Sequence, residues 1–277
     1  GAGTTYNVAV SGMTGDGTVI ASLAAGVATD TAGNPNAAST STDNTVTRDT
    51  TGPTVTINQA GAQADPTSGS PINFTVIFSE SVANFATGDV TLGGTAGATT
   101  QVVTGAGTTY NVAVSGMTGD GTVTASLLAG VASDALGNPS AASTSTDNTV
   151  TRDTIGPTVT INQAGAQADP TNGSPINFTV VFSESVANFA TGDVTLGGTA
   201  GATTQVVTGA GTTYNVAVSG MTGDGTVTAS LLVGVASDAL GNPSAASTST
   251  DNTVTFDTTG PTVTINQAGA QADPTNG

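Results

Sequence analysis

The 277-residue chain contains no cysteine, histidine, lysine or tryptophan. Without histidine, cysteine or lysine, it has no ordinary base that could activate a serine or threonine nucleophile. A pair of carboxylates could hydrolyse a glycoside, but the aromatic residues that would line a sugar cleft make up only 4% of the chain. We therefore expect no enzymatic activity. The absence of cysteine also means that something other than disulfide bonds must stabilise the fold.

Positive charge is almost absent as well. Arg48 and Arg152 are the only basic residues, and nineteen Asp and Glu residues give a formal net charge of −17. Such a chain cannot neutralise phosphates, so we expect nucleic acid and anionic membranes to repel it. Residues 1–277 contain no signal peptide, transmembrane run or lipid anchor, and we expect no direct membrane insertion within this segment. The carboxylates must either repel one another or bind cations.

The chain is dominated by a long repeat. The segment Gly-Pro-Thr-Val-Thr-Ile-Asn-Gln begins at Gly52, Gly156 and Gly260, which sets a period of 104 residues. The complete repeats differ at only five positions, which are 68/172, 77/181, 129/233, 152/256 and 155/259. We expect complete domains at 52–155 and 156–259, with 1–51 the C-terminal part of one repeat and 260–277 the N-terminal part of another.

Half a domain cannot bury its own core, so these partial repeats indicate a longer tandem array. Repetition at domain length favours an additive role, such as length, stiffness or valency, over a single chemistry. Each complete repeat alternates apolar and polar residues with period two between Gly- and Asn-rich turns. In the second repeat the expected strands are 157–163, 175–182, 194–196, 204–207, 213–218, 226–232 and 252–256. About seven short strands in such a length predict an all-β, antiparallel Greek-key sandwich.

Three segments of the repeat resemble a known family. They are 182–186 (Phe-Ser-Glu-Ser-Val), 235–242 (Val-Ala-Ser-Asp-Ala-Leu-Gly-Asn) and 257–261 (Asp-Thr-Thr-Gly-Pro). Together they resemble the bacterial Ig-like repeats of very large surface adhesins and biofilm-associated proteins, and the resemblance covers the whole chain. It implies a seven-stranded immunoglobulin-like sandwich, an extracellular bacterial location, and Ca²⁺ held between successive domains.

The Ig strand order also predicts where the acidic residues meet. With strands A to G, the B–C, D–E and F–G loops lie at the pole where the linker from the previous domain arrives. This brings together Asp153, Glu184 and Asp238, with Asn242 and backbone carbonyls nearby. The equivalent set before the first complete repeat is Asp49, Glu80, Asp134 and Asn138. Six to eight oxygen ligands from flexible loops suit Ca²⁺ better than Mg²⁺.

At the opposite pole the repeats place four more aspartates, which are Asp65, Asp120, Asp169 and Asp224. They could contribute to the same junction or form a second metal site. The alternative for all these residues is an ordinary turn role, because Asp and Asn hydrogen-bond locally in loops and Gly-Asp-Gly is a common hairpin turn. Asp43, Asp147 and Asp251 begin a strand and are expected to be solvated.

These observations favour a structural extender of a bacterial adhesin or biofilm matrix protein, stiffened by Ca²⁺. Its partners would be the neighbouring repeats of the same chain. A second hypothesis is a self-assembling extracellular fibre, in which copies of the chain contact one another through unpaired edge strands. A third is a module whose loops bind a glycan or a receptor.

Overall fold

The structure is a computed structural model that describes residues 3–271 and Pro274. The chain divides into two compact units, Gly1–Asp153 and Thr154–Gly277. The described residues form antiparallel sheets and contain no helix, so the all-β prediction is confirmed. None of these residues belongs to a helix long and apolar enough to span a membrane.

The first unit contains eight strands, which are β1 (Gly17–Ile20), β2 (Thr45–Arg48), β3 (Val55–Gln59), β4 (Ile72–Val82), β5 (Val90–Gly93), β6 (Thr100–Ser115), β7 (Gly121–Leu127) and β8 (Thr149–Arg152). Strands β1 and β2 pair with each other. The others form two three-stranded sheets, ordered β3-β4-β6 and β5-β7-β8.

The second unit repeats this arrangement with β9 (Val159–Gln163), β10 (Ile176–Val186), β11 (Val194–Gly197), β12 (Thr204–Ser219), β13 (Gly225–Leu231) and β14 (Thr253–Phe256). Its sheets are ordered β9-β10-β12 and β11-β13-β14. The register is the same in both units, because Val76 pairs with Tyr110 and Val180 pairs with Tyr214.

In each unit the two sheets share one hydrophobic core. The alternating residues Ile176, Phe178, Val180 and Phe182 of β10 are all buried, as the period-two pattern predicts. Phe78, Phe85 and Tyr110 pack edge to face with ring centroids 5.1–5.9 Å apart. The Tyr110 hydroxyl donates to the carbonyl of Val82 at 3.3 Å. These three rings close one part of a core that otherwise consists mainly of Val, Ile and Ala, with Phe74 and Leu127.

The segment 3–51 buries much less. Val46 is 68% exposed, whereas Val150, at the same place in the first complete repeat, is 0% exposed. Val46 lies in β2, whose only named partner is β1.

The structure differs from the sequence-based boundaries at the second strand of each complete repeat. The predicted strand ends at Phe182, but β10 continues to Val186 through an irregularity in its pairing with β12. Ser-Glu-Ser is too polar to be recognised as strand from its composition. As a result, Glu80 and Glu184 lie inside β4 and β10, not in the following loop where the Ig strand order had placed them.

The predicted strands 204–207 and 213–218 fall within one continuous element, β12, which folds back on itself. The same is true of β6, since the amide of Thr99, the residue before this strand, donates to the carbonyl of Ser115 at its end, at 3.2 Å. A Cβ placed on Gly105 would lie 2.8 Å from the Cα of Tyr110, whereas a straight strand would separate these residues by about 16 Å. Gly105 and Gly107 have φ values of +126° and +70°, which explains why glycines occupy this reversal.

Candidate metal site

Three acidic side chains converge in the first unit. Asp49 follows β2, Glu80 lies near the end of β4, and Asp134 lies in the loop after β7. One carboxylate oxygen from each residue lies within 4.8 Å of the other two. Asp134 is buried and the other two residues are half-buried.

Glu80 reaches the group because of the side-chain alternation of β4. Phe78 and Val82 are 2% and 7% exposed and belong to the core, and Glu80 lies between them on the same face of the strand. A carboxylate on the inward face is costly unless it meets hydrogen-bond donors or a cation. Near the end of the strand, its carboxylate lies within 4.8 Å of those of Asp49 and Asp134.

Asp134 is held by its own loop. Its Oδ1 accepts hydrogen bonds from the backbone amides of Leu136 and Asn138, both at 2.8 Å, and its Oδ2 accepts from Asn138 Nδ2 at 2.7 Å. Burial raises the pKa of Asp134, but the hydrogen bonds from Asn138 and Leu136 outweigh it and leave the pKa below its ordinary value. The carboxylate is therefore ionised at neutral pH. These hydrogen bonds engage both oxygens of the carboxylate.

The same loop closure occurs elsewhere. Asp238 accepts from Asn242, and Asp30 accepts from Asn34, in the same pattern. Asp30 lies in the segment 3–51 and belongs to no acidic group of this kind within the described residues. The Asp–Asn pair is thus a local loop structure, as the turn interpretation predicts, and in the first complete repeat two other carboxylates also lie close to it.

Asn138 also contacts the linker. Its Nδ2 donates to the carbonyl of Asp49 at 3.3 Å, so it acts here as a donor that joins the loop to the linker. The amide of Thr51 donates to Asp49 Oδ1 at 3.0 Å. A Cβ on Gly52 would lie 1.8 Å from the carbonyl oxygen of Pro139. Only glycine lets the linker lie this close to the loop.

No arginine neutralises the three carboxylates. Arg48 lies 3.8 Å from Asp16, and Arg152 lies 3.4 Å from Asp120. These are the two ion pairs of the described residues. The group therefore has three acidic side chains and no basic one, a donor set made only of oxygen.

The second predicted set is divided between the two units. Asp153 belongs to the first unit, where its amide donates to the carbonyl of Thr67 at 3.0 Å. Glu184, Asp238 and Asn242 belong to the second unit. There Asp238 and Asn242 are buried, Asn242 donates to Asp238 through both its amides, and Glu184 is half-buried in β10.

The four aspartates predicted at the opposite pole have protein partners. Asp65 Oδ1 accepts from the amide of Thr151 at 2.9 Å, and Asp169 Oδ1 accepts from that of Thr255 at 2.8 Å. Asp120 pairs with Arg152. These contacts favour a structural role for the aspartates over a second metal site.

The fourth of these aspartates, Asp224, binds the segment that follows β14. Its Oδ1 accepts from the amide and the hydroxyl of Thr258, and its Oδ2 accepts from the hydroxyl of Thr259. These hydrogen bonds, chiefly those from the two hydroxyls, lower the pKa of Asp224 to about 2. Asp16 makes the same contacts with Thr50 and Thr51, and sequence reasoning missed it. The available signal was a Gly-Asp-Gly turn followed 34 residues later by two threonines.

Comparison with protein-family models finds no match for this chain, and a search of curated proteins finds none of significant similarity.

Proposed function

We propose that this chain is part of the structural extender of a bacterial cell-surface adhesin or biofilm matrix protein, and that Ca²⁺ stiffens its tandem Ig-like domains outside the cell. One observation carries the proposal. Asp49, in the linker before a complete repeat, meets Glu80 and Asp134 of that repeat within 4.8 Å. A cation bound there would fix the linker to the domain that follows it.

The strand order supports the Ig-like assignment. The Ig constant-type sandwich has strands A, B, E and D in one sheet and C, F and G in the other. The sheet β3-β4-β6 corresponds to A, B and E, with D as the first half of the folded-back β6. The sheet β5-β7-β8 corresponds to C, F and G. In this assignment Asp134 lies in the F–G loop.

The donor set fits Ca²⁺. With no histidine or cysteine in the chain, only oxygen ligands are available, and these suit hard cations such as Ca²⁺ and Mg²⁺. Asp49, Glu80 and Asp134 would hold the ion, with backbone carbonyls completing the shell. Three carboxylates on loops and a strand end can adapt to the larger, more flexible shell of Ca²⁺. The bound ion would supply the positive charge that the side chains lack.

The proposal is tested by small-angle scattering and thermal melting of the whole chain, once in CaCl₂ and once in EDTA. We expect calcium to raise the melting temperature and to narrow the distribution of molecular lengths, with each repeat adding about 40 Å, from strands of about seven residues at ~3.3 Å plus the loops at both ends. MgCl₂ is the matched control and should have a smaller effect. Identical melting and length distributions in calcium and EDTA would contradict the metal-stiffened extender.

A self-assembling fibre is the second candidate. The edge of β3 is covered, since its residue Thr56 forms a parallel bridge with Thr144, and β8 is similarly covered by Thr67. The outer half of β6 is the more open edge, and there Val102 is 49% exposed. Ordered fibres of the purified chain in electron micrographs would favour this candidate. Glycan or receptor binding stays a prediction for a binding assay.

A further inference from the structure

The acidic residue that precedes β1 contacts the linker next to the candidate metal site. Asp16 Oδ1 accepts hydrogen bonds from the amide of Thr50 at 2.9 Å and from its hydroxyl at 2.6 Å. Asp16 Oδ2 accepts from the hydroxyl of Thr51. Arg48 adds a more distant ion pair at 3.8 Å. One carboxylate therefore holds two consecutive linker residues.

These two residues directly follow Asp49. The amide of Thr51 donates to Asp49 Oδ1 at 3.0 Å, so the residue that Asp16 holds also orients the Asp49 carboxylate. On the other side, Gly52 lies against Pro139, and the carbonyl of Asp49 accepts from Asn138. In the stretch 49–52, both end residues thus contact the loop that carries Asp134, and Asp16 of the turn before β1 holds the two middle residues.

We infer that Asp16 is a positioning residue for the candidate metal site, which directs the carboxylate of Asp49 toward Glu80 and Asp134 before any ion binds. The inference rests on the proposed function. Its physical basis is preorganisation, because a linker that is already ordered loses less conformational freedom when the ion binds. The hydroxyl and amide hydrogen bonds also lower the pKa of Asp16, so its carboxylate stays a charged acceptor at neutral pH.

The chain provides its own internal control. The first linker reads Arg-Asp-Thr-Thr at 48–51, and the second reads Arg-Asp-Thr-Ile at 152–155. Peptides that contain Thr51 or Ile155 therefore differ in mass. Hydrogen exchange followed by mass spectrometry can observe both linkers in the same molecule while only the first one is changed.

The experiment compares the whole chain with Asp16→Asn, Thr51→Val and Thr51→Ser, in EDTA and across a CaCl₂ titration. In EDTA, we expect Asp16→Asn and Thr51→Val to speed exchange in the first linker. In the CaCl₂ titration, both variants should need about tenfold more calcium to reach half of the maximal protection of this linker from exchange. Tenfold is the lower end of the loss of metal affinity that follows removal of a residue that orients a metal ligand. The second linker should be unchanged. Thr51→Ser keeps the hydroxyl and should behave like the wild type.

Asp43→Asn is the charge-matched control. It removes one exposed carboxylate of the same unit and should alter neither linker. If calcium protects the first linker equally well in the wild type and in Asp16→Asn, the positioning role is wrong while the metal site stands. If calcium protects neither linker of the wild type, the metal site itself is wrong and the inference falls with it.

Discussion

Replacing Glu80 with glutamine should change stability in opposite directions with and without calcium. Glu80 and Asp49 lie within 4.8 Å of each other, and both are half-buried. Two like charges at this distance repel by about 1 kcal/mol in bulk water and by about 3.5 kcal/mol at an effective dielectric constant of 20. Without metal, Glu80→Gln removes this repulsion. We therefore expect the variant to be more stable than the wild type in EDTA, by an amount between these two values.

Calcium should reverse the order. A ligand that binds only the folded state at one hundred times its dissociation constant stabilises that state by about 2.7 kcal/mol. Glutamine offers a neutral oxygen in place of a carboxylate, so the variant should bind calcium more weakly and gain less of this stabilisation. The wild type should then equal or exceed the variant in unfolding free energy at saturating calcium.

The assay is urea unfolding of the whole chain in EDTA, CaCl₂ and MgCl₂. Glu80→Gln is compared with Glu80→Gln/Glu184→Gln and with the control Asp43→Asn. Because the chain has two units, the midpoint shift is compared between conditions without assuming one two-state transition. Asp43→Asn should respond to calcium as the wild type does. An equal calcium-induced shift for Glu80→Gln and the wild type would refute Glu80 as a ligand, and destabilisation by this change in EDTA would refute the repulsion.

Two further predictions concern the linkers. In Gly52→Ala, the new Cβ would lie 1.8 Å from the carbonyl oxygen of Pro139, so this change should lower the free energy of unfolding in urea by about 1–3 kcal/mol. In the control Gly61→Ala, the new Cβ meets nothing within 4 Å, and the free energy of unfolding should not fall in this way. Equal effects of the two changes would contradict the close approach of Gly52 to Pro139. Hydrogen bonds, chiefly from the Thr259 and Thr258 hydroxyls, lower the folded-state pKa of Asp224 from 3.8 to about 2. The ionised carboxylate of Asp224 therefore stabilises the folded state fully above about pH 4, and this stabilisation is lost as the pH falls toward 2. The stability difference between the wild type and Asp224→Asn should therefore shrink from pH 5 to pH 2, and a constant difference would contradict the hydrogen-bonded carboxylate.

Much of the fold could be predicted from the sequence, because strand alternation is a local signal. The inward face of β10 was assigned correctly from its period-two pattern. The end of β10 was wrong, since Ser-Glu-Ser carries no apolar signal and the irregular pairing with β12 comes from tertiary structure. That error put Glu184 in a loop, although it lies within the strand.

The candidate site was only partly accessible from sequence. The expected proximity of Asp49, Glu80 and Asp134 came from strand order, which determines which loops share a pole. Strand order contains no information about side-chain hydrogen bonds. Strand order therefore did not predict that Asn138 donates a hydrogen bond to Asp49. Nor did it predict the hydrogen bonds that Asp16 accepts from Thr50 and Thr51 of the linker.

The groups around the aspartate of the Gly-Asp-Gly turn differ from repeat to repeat. Asp16 has both an arginine and two threonine hydroxyls near it. At the next linker, Ile155 replaces the second threonine, and Asp120 lies closer to its arginine, at 3.4 Å. At the third, Phe256 replaces the arginine and packs against the core.

In that third linker Asp224 keeps both hydroxyl donors. Two of the five differences between the complete repeats, 152/256 and 155/259, therefore change the groups around this aspartate. Asp120 retains the arginine, and Asp224 retains the second hydroxyl. Salt screens the ion pair more than the hydroxyl contacts. We therefore expect the Asp120–Arg152 ion pair to weaken with rising ionic strength before the contacts of Asp224 with Thr258 and Thr259 do, although the two repeats are otherwise nearly identical.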